Sequence, residues 1–228
     1  MENGKYKYEL HCHTEETSNC GRTPAAELVR IYKERGYDGV VITDHYSQMT
    51  FKKTNAFKAG KLYEKFLRGY RAAKDAAGDD FTVLLGMELR GWCSPIDFLV
   101  YGITEDFVEN CGNLLFKYSR RFYKIAKKQG FLVVGAHPYR MYPVLPGIKV
   151  IDGMEVYNSK ESRENNLKAL ARAEKYGVKI LTSGSDFHRT NHSRFGGILT
   201  KEPIKTNADL LRILKSGDFE RITNEENN

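Results

Sequence analysis

Several things are scarce in this sequence. It has four cysteines, at 12, 20, 93 and 111, with no CxxC pair among them. That excludes a disulfide scaffold and a zinc-ribbon pattern, and it predicts reduced thiols and a cytoplasmic chain. No stretch approaches the roughly 20 apolar residues that span a bilayer, so no membrane partner is expected. The opening MENGKYKYEL lacks the apolar region of a signal peptide, so secretion by that route is not expected. There is no linker of the Pro/Gly/Ser type. A GxxxxGK[ST] phosphate loop, a GxGxxG turn, a GxSxG elbow and an HExxH helix are all missing.

What is present is an ordinary core-forming composition: 228 residues, 41% hydrophobic and 29% charged, enough for one domain over 1–228. Lys+Arg exceed Asp+Glu by 36 to 29, a net +7 that favours anionic partners, although solvated lysines on helix faces account for most of it.

A rhythm of apolar strand, loop, helix and glycine recurs. Strands are predicted at Tyr6–His13, GVVITD, FTVLLGME, IDFLVYG, FLVVGAH, GMEVYN and VKILTSGSD. Helices are predicted to Arg35 from a Thr23-Pro24 cap, over 55–77, 113–129 and 163–176, and from a Thr206-x-x-Asp209 capping box. Gly36, Gly130, Gly177 and Gly217 mark helix stops. Alternation of this kind implies an α/β fold of about seven parallel strands joined by crossovers. Rhythm alone leaves a small barrel and an open doubly wound sheet as alternatives.

Five of the six histidines fall at or just after a strand's C-terminal end: His11, His13, His45, His137 and His188. Glu88 and Asp186 share that position. Strand C-termini in parallel α/β folds meet on one rim, where active sites sit. Residues 11 and 13 share a strand face, with Cys12 turned the other way into the core. Imidazoles and carboxylates converging there are transition-metal ligands. Seven exceed one tetrahedral shell, so more than one metal is expected, with a carboxylate as bridge.

ELHCHT, ITDHY, GMELR, GAHP and GSDFH, in this order, resemble the motifs of the PHP (polymerase and histidinol phosphatase) domain over roughly residues 6–200. The resemblance implies a distorted (β/α)7 barrel with two or three divalent transition metals (Mn, Fe or Zn) at the C-terminal rim. It makes His11, His13, Glu88 and Asp186 ligands of one metal. Glu88 then bridges to a second metal held by His137, and His45 and His188 hold a third. Asp44 orients a ligand imidazole. Two positions depart from the family pattern. The loop TEETSNCG lacks the usual third-site acid or histidine, and Glu16, with Glu15 as runner-up, is the substitute expected there. Asp97 stands where relatives often have a histidine on the second metal, which makes that site oxygen-rich and leans it toward Mn or Fe over Zn.

The activity this implies is metal-dependent hydrolysis of a small phosphate monoester or nucleotide. Arg140, then Arg189, are the cations expected to clamp the phosphoryl oxygens. His192 is the spare histidine, read as a surface residue. One rival is a nuclease, for which the basic stretch KYSRRFYKIAKK with Tyr118, Phe122 and Tyr123 would speak. That spacing reads better as a helix turning its aromatics inward. The other rival is a metal-binding regulatory protein without catalysis.

Overall fold

The computed structural model describes residues 5–52, 61–117, 119–141 and 144–223. Its strands are β1 (Tyr6–Cys12), β2 (Gly39–Ile42), β3 (His45–Tyr46), β4 (Thr82–Arg90), β5 (Asp97–Tyr101), β6 (Leu132–Gly135), β7 (Gly153–Asn158), β8 (Ile180–Gly184), β9 (Gly197–Thr200) and β10 (Phe219–Ile222). The helices are α1 (Ala25–Glu34), α2 (Gln48–Lys52), α3 (Leu62–Ala77), α4 (Glu105–Asn110), α5 (Ser119–Gln129), α6 (Arg163–Lys175) and α7 (Asn207–Ser216). The sheet order is β10-β9-β1-β2-β4-β5-β6-β7-β8, with β3 paired to β4. A parallel bridge between Cys12 and Phe187, just beyond β8, brings the two ends of β1–β8 together into a nearly closed barrel.

Buried strand residues alternate between two cores. Leu10, Val41, Leu84, Leu99, Leu132 and Val134 face inward, where Leu210, Ile213 and Leu214 of α7 join them. Val40, Ile42, Leu85, Val100 and Val133 face outward and pack with residues of α1, α3 and α5. In β1 a register slip between Glu9 and Cys12 changes faces: Tyr8 and Leu10 join the inner cluster and Cys12 the outer one.

The barrel departs from seven parallel strand–helix units. β5 runs antiparallel to both β4 and β6. The link Gly91–Ile96 is too short for a crossover helix, so the chain turns back on itself. This reversal puts Asp97, the first residue of β5, opposite Arg90, at the rim where β4 ends.

The helix predicted over 113–129 is two pieces, a 3-10 turn at Leu114–Phe116 and α5; Tyr118 lies outside the described residues. In α5, Phe122 is buried and Tyr123 packs against the core, as its spacing implied. Of the helix expected over 55–77, α3 is seen and 55–60 lie outside the described residues. The Thr206–Asp209 capping box is present, and Gly36, Gly130, Gly177 and Gly217 have positive φ. Thr23 does not cap α1. Pro24 takes that position, and the Ala25 N–H is satisfied from elsewhere.

Candidate metal centre

The rim gathers the strand-end histidines and acids into one buried cluster. His11, His13, Glu88 and Asp186 are fully buried, and His137, His188 and Asp97 nearly so. Glu88 lies in the middle. Its Oε1 is 2.9 Å from His137 Nε2 and 3.6 Å from His11 Nε2. Its Oε2 is 3.4 Å from His13 Nε2 and 2.7 Å from His45 Nδ1. Asp186 Oδ1 lies 3.4 Å from His13 Nε2, 3.7 Å from His11 Nε2 and 3.2 Å from His188 Nδ1. The His13 ring stacks 4.3 Å from the His45 ring and lies tilted at 4.3 Å from the His188 ring. His137 and Asp186 both hold positive φ, of 25° and 53°. Such strain in residues without a glycine's freedom persists where the surroundings over-determine it.

Four atoms of this cluster are buried without a hydrogen-bond partner: His11 Nε2, His13 Nε2, Glu88 Oε2 and Asp186 Oδ1. The close His45 contact to Glu88 Oε2 lacks hydrogen-bond alignment. Unmet buried polar atoms are costly, and here nitrogen and oxygen lone pairs face one another. That is the donor set of a divalent transition metal, and it fits one.

Crowding sets the ionisation of the cluster: beside its acids, His11 and His45 are raised well above the ordinary imidazole value. Burial alone would raise the Glu88 carboxyl, but His45 and His11 pull it well below the usual range. Asp186, likewise buried, is held low by His11 and Arg140. His13 is pushed well below the ordinary imidazole value by burial and by His188 and His45, so it presents a neutral ring. Both acids are thus ionised at neutral pH, as metal ligands must be.

Residues under the rim orient the cluster. Glu155 takes His11 Nδ1 on one oxygen and the His137 N–H on the other, each at 2.8 Å. Glu9, fully buried, accepts from the N–H groups of Leu10, His11 and Ser185 and from the Tyr32 hydroxyl, and burial pushes its carboxyl up to about 7. Neither glutamate was singled out from sequence. A lone acid inside an apolar strand, as in YELHC and GMEVYN, was the available signal. Gly184 makes room for this layer: a Cβ there would meet His11 Cβ at 2.5 Å and Glu155 Oε1 at 2.6 Å.

Other expected positions fall differently. Glu16 points its carboxylate to the start of α1, accepting from Ala25 N at 2.9 and 3.1 Å, and so supplies the cap that Thr23 does not. None of Glu15, Glu16 and Asp97 belongs to the metal-capable groups among the described residues. Asp44 binds Thr14 N, Thr14 Oγ1 and Ser18 Oγ, and it reaches an imidazole only through that serine hydroxyl, 3.4 Å from His13 Nδ1. Asp97 pairs with Arg90 through two hydrogen bonds, one of 2.5 Å, and its Oδ2 lies 3.8 Å from His137 Nε2. His192 is half-buried, 2.7 Å from Ser159 Oγ, and burial lowers it to about 4. At neutral pH it carries no proton to give as an imidazolium.

Above the cluster opens a cleft of about 600 Å³, lined by Arg90, Arg140, Lys160, Arg189 and His192. Arg140 contacts Asp186 Oδ2 at 2.6 Å and Glu161 Oε1 at 2.7 Å. Lys160 Nζ stands 3.3 Å from His188 Nδ1. Arg189 is exposed at the mouth.

The family profile of the PHP domain matches residues 9–218. The chain belongs to the PHP family. Solved structures show the same PHP fold. A two-domain protein from Bacteroides vulgatus ATCC 8482, containing a predicted PHP-like metal-dependent phosphoesterase, is 15% identical with a TM-score of 0.70; the match covers 98% of this chain and 66% of that one. This PHP chain therefore spans just under two thirds of that protein. PsfC from Pseudomonas syringae PB-5123 is 16% identical with a TM-score of 0.70, over 98% of this chain and 93% of that one. A protein from Bifidobacterium adolescentis ATCC 15703, assigned provisionally to the metal-dependent phosphoesterases, is 17% identical with a TM-score of 0.55, over 92% and 96%. No curated protein matches significantly. Among the described residues of this PHP domain, no helix is long and apolar enough to cross a membrane.

Proposed function

We propose that the protein is a phosphoesterase that hydrolyses a small phosphate monoester or nucleotide with two or three divalent transition metals. The observation that carries this reading is the set of four buried, partnerless ligand atoms lying beneath a cleft with four cationic side chains.

In this reading His11, His13, Asp186 and Glu88 hold one metal. Glu88, His137 and Asp97 hold a second, with Asp97 also steering Arg90. His45 and His188 hold a third. Such metals supply Lewis acidity and activation of water. The protein's own groups do the rest. Glu155 keeps His11 Nδ1 engaged, so that Nε2 is the nitrogen offered to the centre. Arg140, Lys160 and Arg189 present positive charge over the cluster, where phosphoryl oxygens gain most from it. The four unpaired cysteines support a reducing, cytoplasmic setting.

The small cleft favours a small ester over a nucleic acid. The test is turnover of an aryl phosphate by chelated and by Mn-, Fe- or Zn-loaded protein, with mononucleotides and oligonucleotides run in parallel. Metal-dependent release of phosphate from the small esters is expected. Metal binding without any turnover would favour a regulatory role, and preference for oligonucleotides a nuclease.

A further inference from the structure

The loop between β1 and α1 is pinned at two points to the backbone of His45 and His188. The His45 N–H donates to Ser18 Oγ at 3.0 Å, and the Arg22 N–H donates to the His188 carbonyl at 2.8 Å. Cys20 lies between these two pins. Its Sγ is 3.1 Å from His188 Nε2. A ring nitrogen of each of His13, His45 and His188 lies within 4.8 Å of the others, and His13 Nε2 is fully buried and without a partner. A soft donor therefore stands beside a three-histidine group able to hold a metal, in which His13 Nε2 has no hydrogen-bond partner.

We propose that Cys20 is a ligand of the cation held by His45 and His188, which makes the third site one of nitrogen and sulfur. Glu16, the residue expected there, is spent on the N-terminus of α1. Binding would break the S–H bond, form a sulfur–metal bond and release the thiol proton to solvent. The inference rests on the metal-centre reading above and adds a selectivity to it. Thiolate donors favour Zn and Fe(II) over Mn, so this site would be softer than the oxygen-rich one at Glu88 and Asp97.

The other thiols are placed apart. Cys12 is buried against the Val41 carbonyl, Cys111 contacts the Val108 carbonyl, and Cys93 lies in the β4–β5 link. Cys20 and Cys93 are both exposed, and only Cys20 stands beside an imidazole of the cluster, which makes Cys93 the control.

The experiment loads the purified protein with Co(II) and records its absorption, with no reference to turnover. Wild type and Cys93→Ser should show a near-ultraviolet sulfur-to-cobalt charge-transfer band, and Cys20→Ser should lack it while keeping the visible bands of the remaining cobalt. Zn affinity of the weakest site should fall in Cys20→Ser by on the order of tenfold or more, at least what loss of an outer partner of a ligand costs. Cys20→Asp should restore binding without the band and shift preference toward Mn. Visible cobalt bands without charge transfer in wild type, or a band that survives Cys20→Ser, would overturn the thiolate and leave the rest of the centre standing. Failure of wild type to bind cobalt at all would overturn both readings.

Discussion

His11 and Glu155, 144 positions apart in sequence, meet in the barrel interior at 2.8 Å between Nδ1 and Oε1, both fully enclosed. Burial would raise the Glu155 carboxyl, but the charge and hydrogen bond of His11 bring it below its ordinary value, so an ionised acid stands behind the imidazole. Carboxylate–imidazole pairs of this kind fix the tautomer and raise the basicity of the nitrogen facing the metal.

Glu155→Gln should therefore weaken the tightest metal by roughly 10–100-fold while leaving the barrel folded. Competition against a chromophoric chelator reads the affinity, and circular dichroism the fold. An unchanged affinity would make Glu155 a packing residue only.

Glu88 touches His11, His13, His45 and His137 at once. Glu88→Gln keeps the shape and removes the charge. Metal content should fall, and turnover should drop by a factor on the order of a hundred or more, the scale of a lost transition-state electrostatic contact. Glu105 and Glu109 pair with Arg71 on the surface, and the same change there should leave both unaltered. A Glu88→Gln protein with full metal and near wild-type turnover would remove the bridge from the scheme.

Asp97→Ala should cost about one metal equivalent, because its Oδ2 is poised near His137 Nε2. It also frees Arg90, whose guanidinium it pairs, so KM for a phosphate ester should rise even when metal is supplied in excess. Elemental analysis and kinetics at saturating metal separate the two effects. If neither moves, Asp97 serves only the β4–β5 turn.

His192 gives a pH-dependent signature. Burial, with Lys160 and His188 adding to it, lowers its pKa from 6.5 to about 4. Between these values the unfolded chain carries a proton there that the folded chain does not. The group's contribution to stability is thus present above about 6.5 and is lost as pH falls toward 4. His192→Gln should lose less stability than wild type over that window, when metal-free proteins are compared by urea midpoint at each pH. Parallel curves would show that the imidazole titrates normally.

The amino-acid order by itself determined the local features. Apolar runs leading to His11, Glu88 and His137 mark strands that end within two residues of them, because period and burial are properties of short segments. The Thr206–Asp209 box and the glycine stops are equally local, each depending on groups within a few residues. The PHP resemblance was legible for the same reason: its motifs are short and each lies within one strand end. What tertiary structure decided involves partners far apart in the chain. β5 reverses because its link is short and its edges must pair with β4 and β6. Glu16 turns to α1 because Pro24 leaves the Ala25 N–H in need of an acceptor. Glu155 meets His11, and Cys20 meets His188, only once the barrel has closed. Side-chain direction and the pairing of distant groups follow from closure and burial, which no window of neighbouring residues contains.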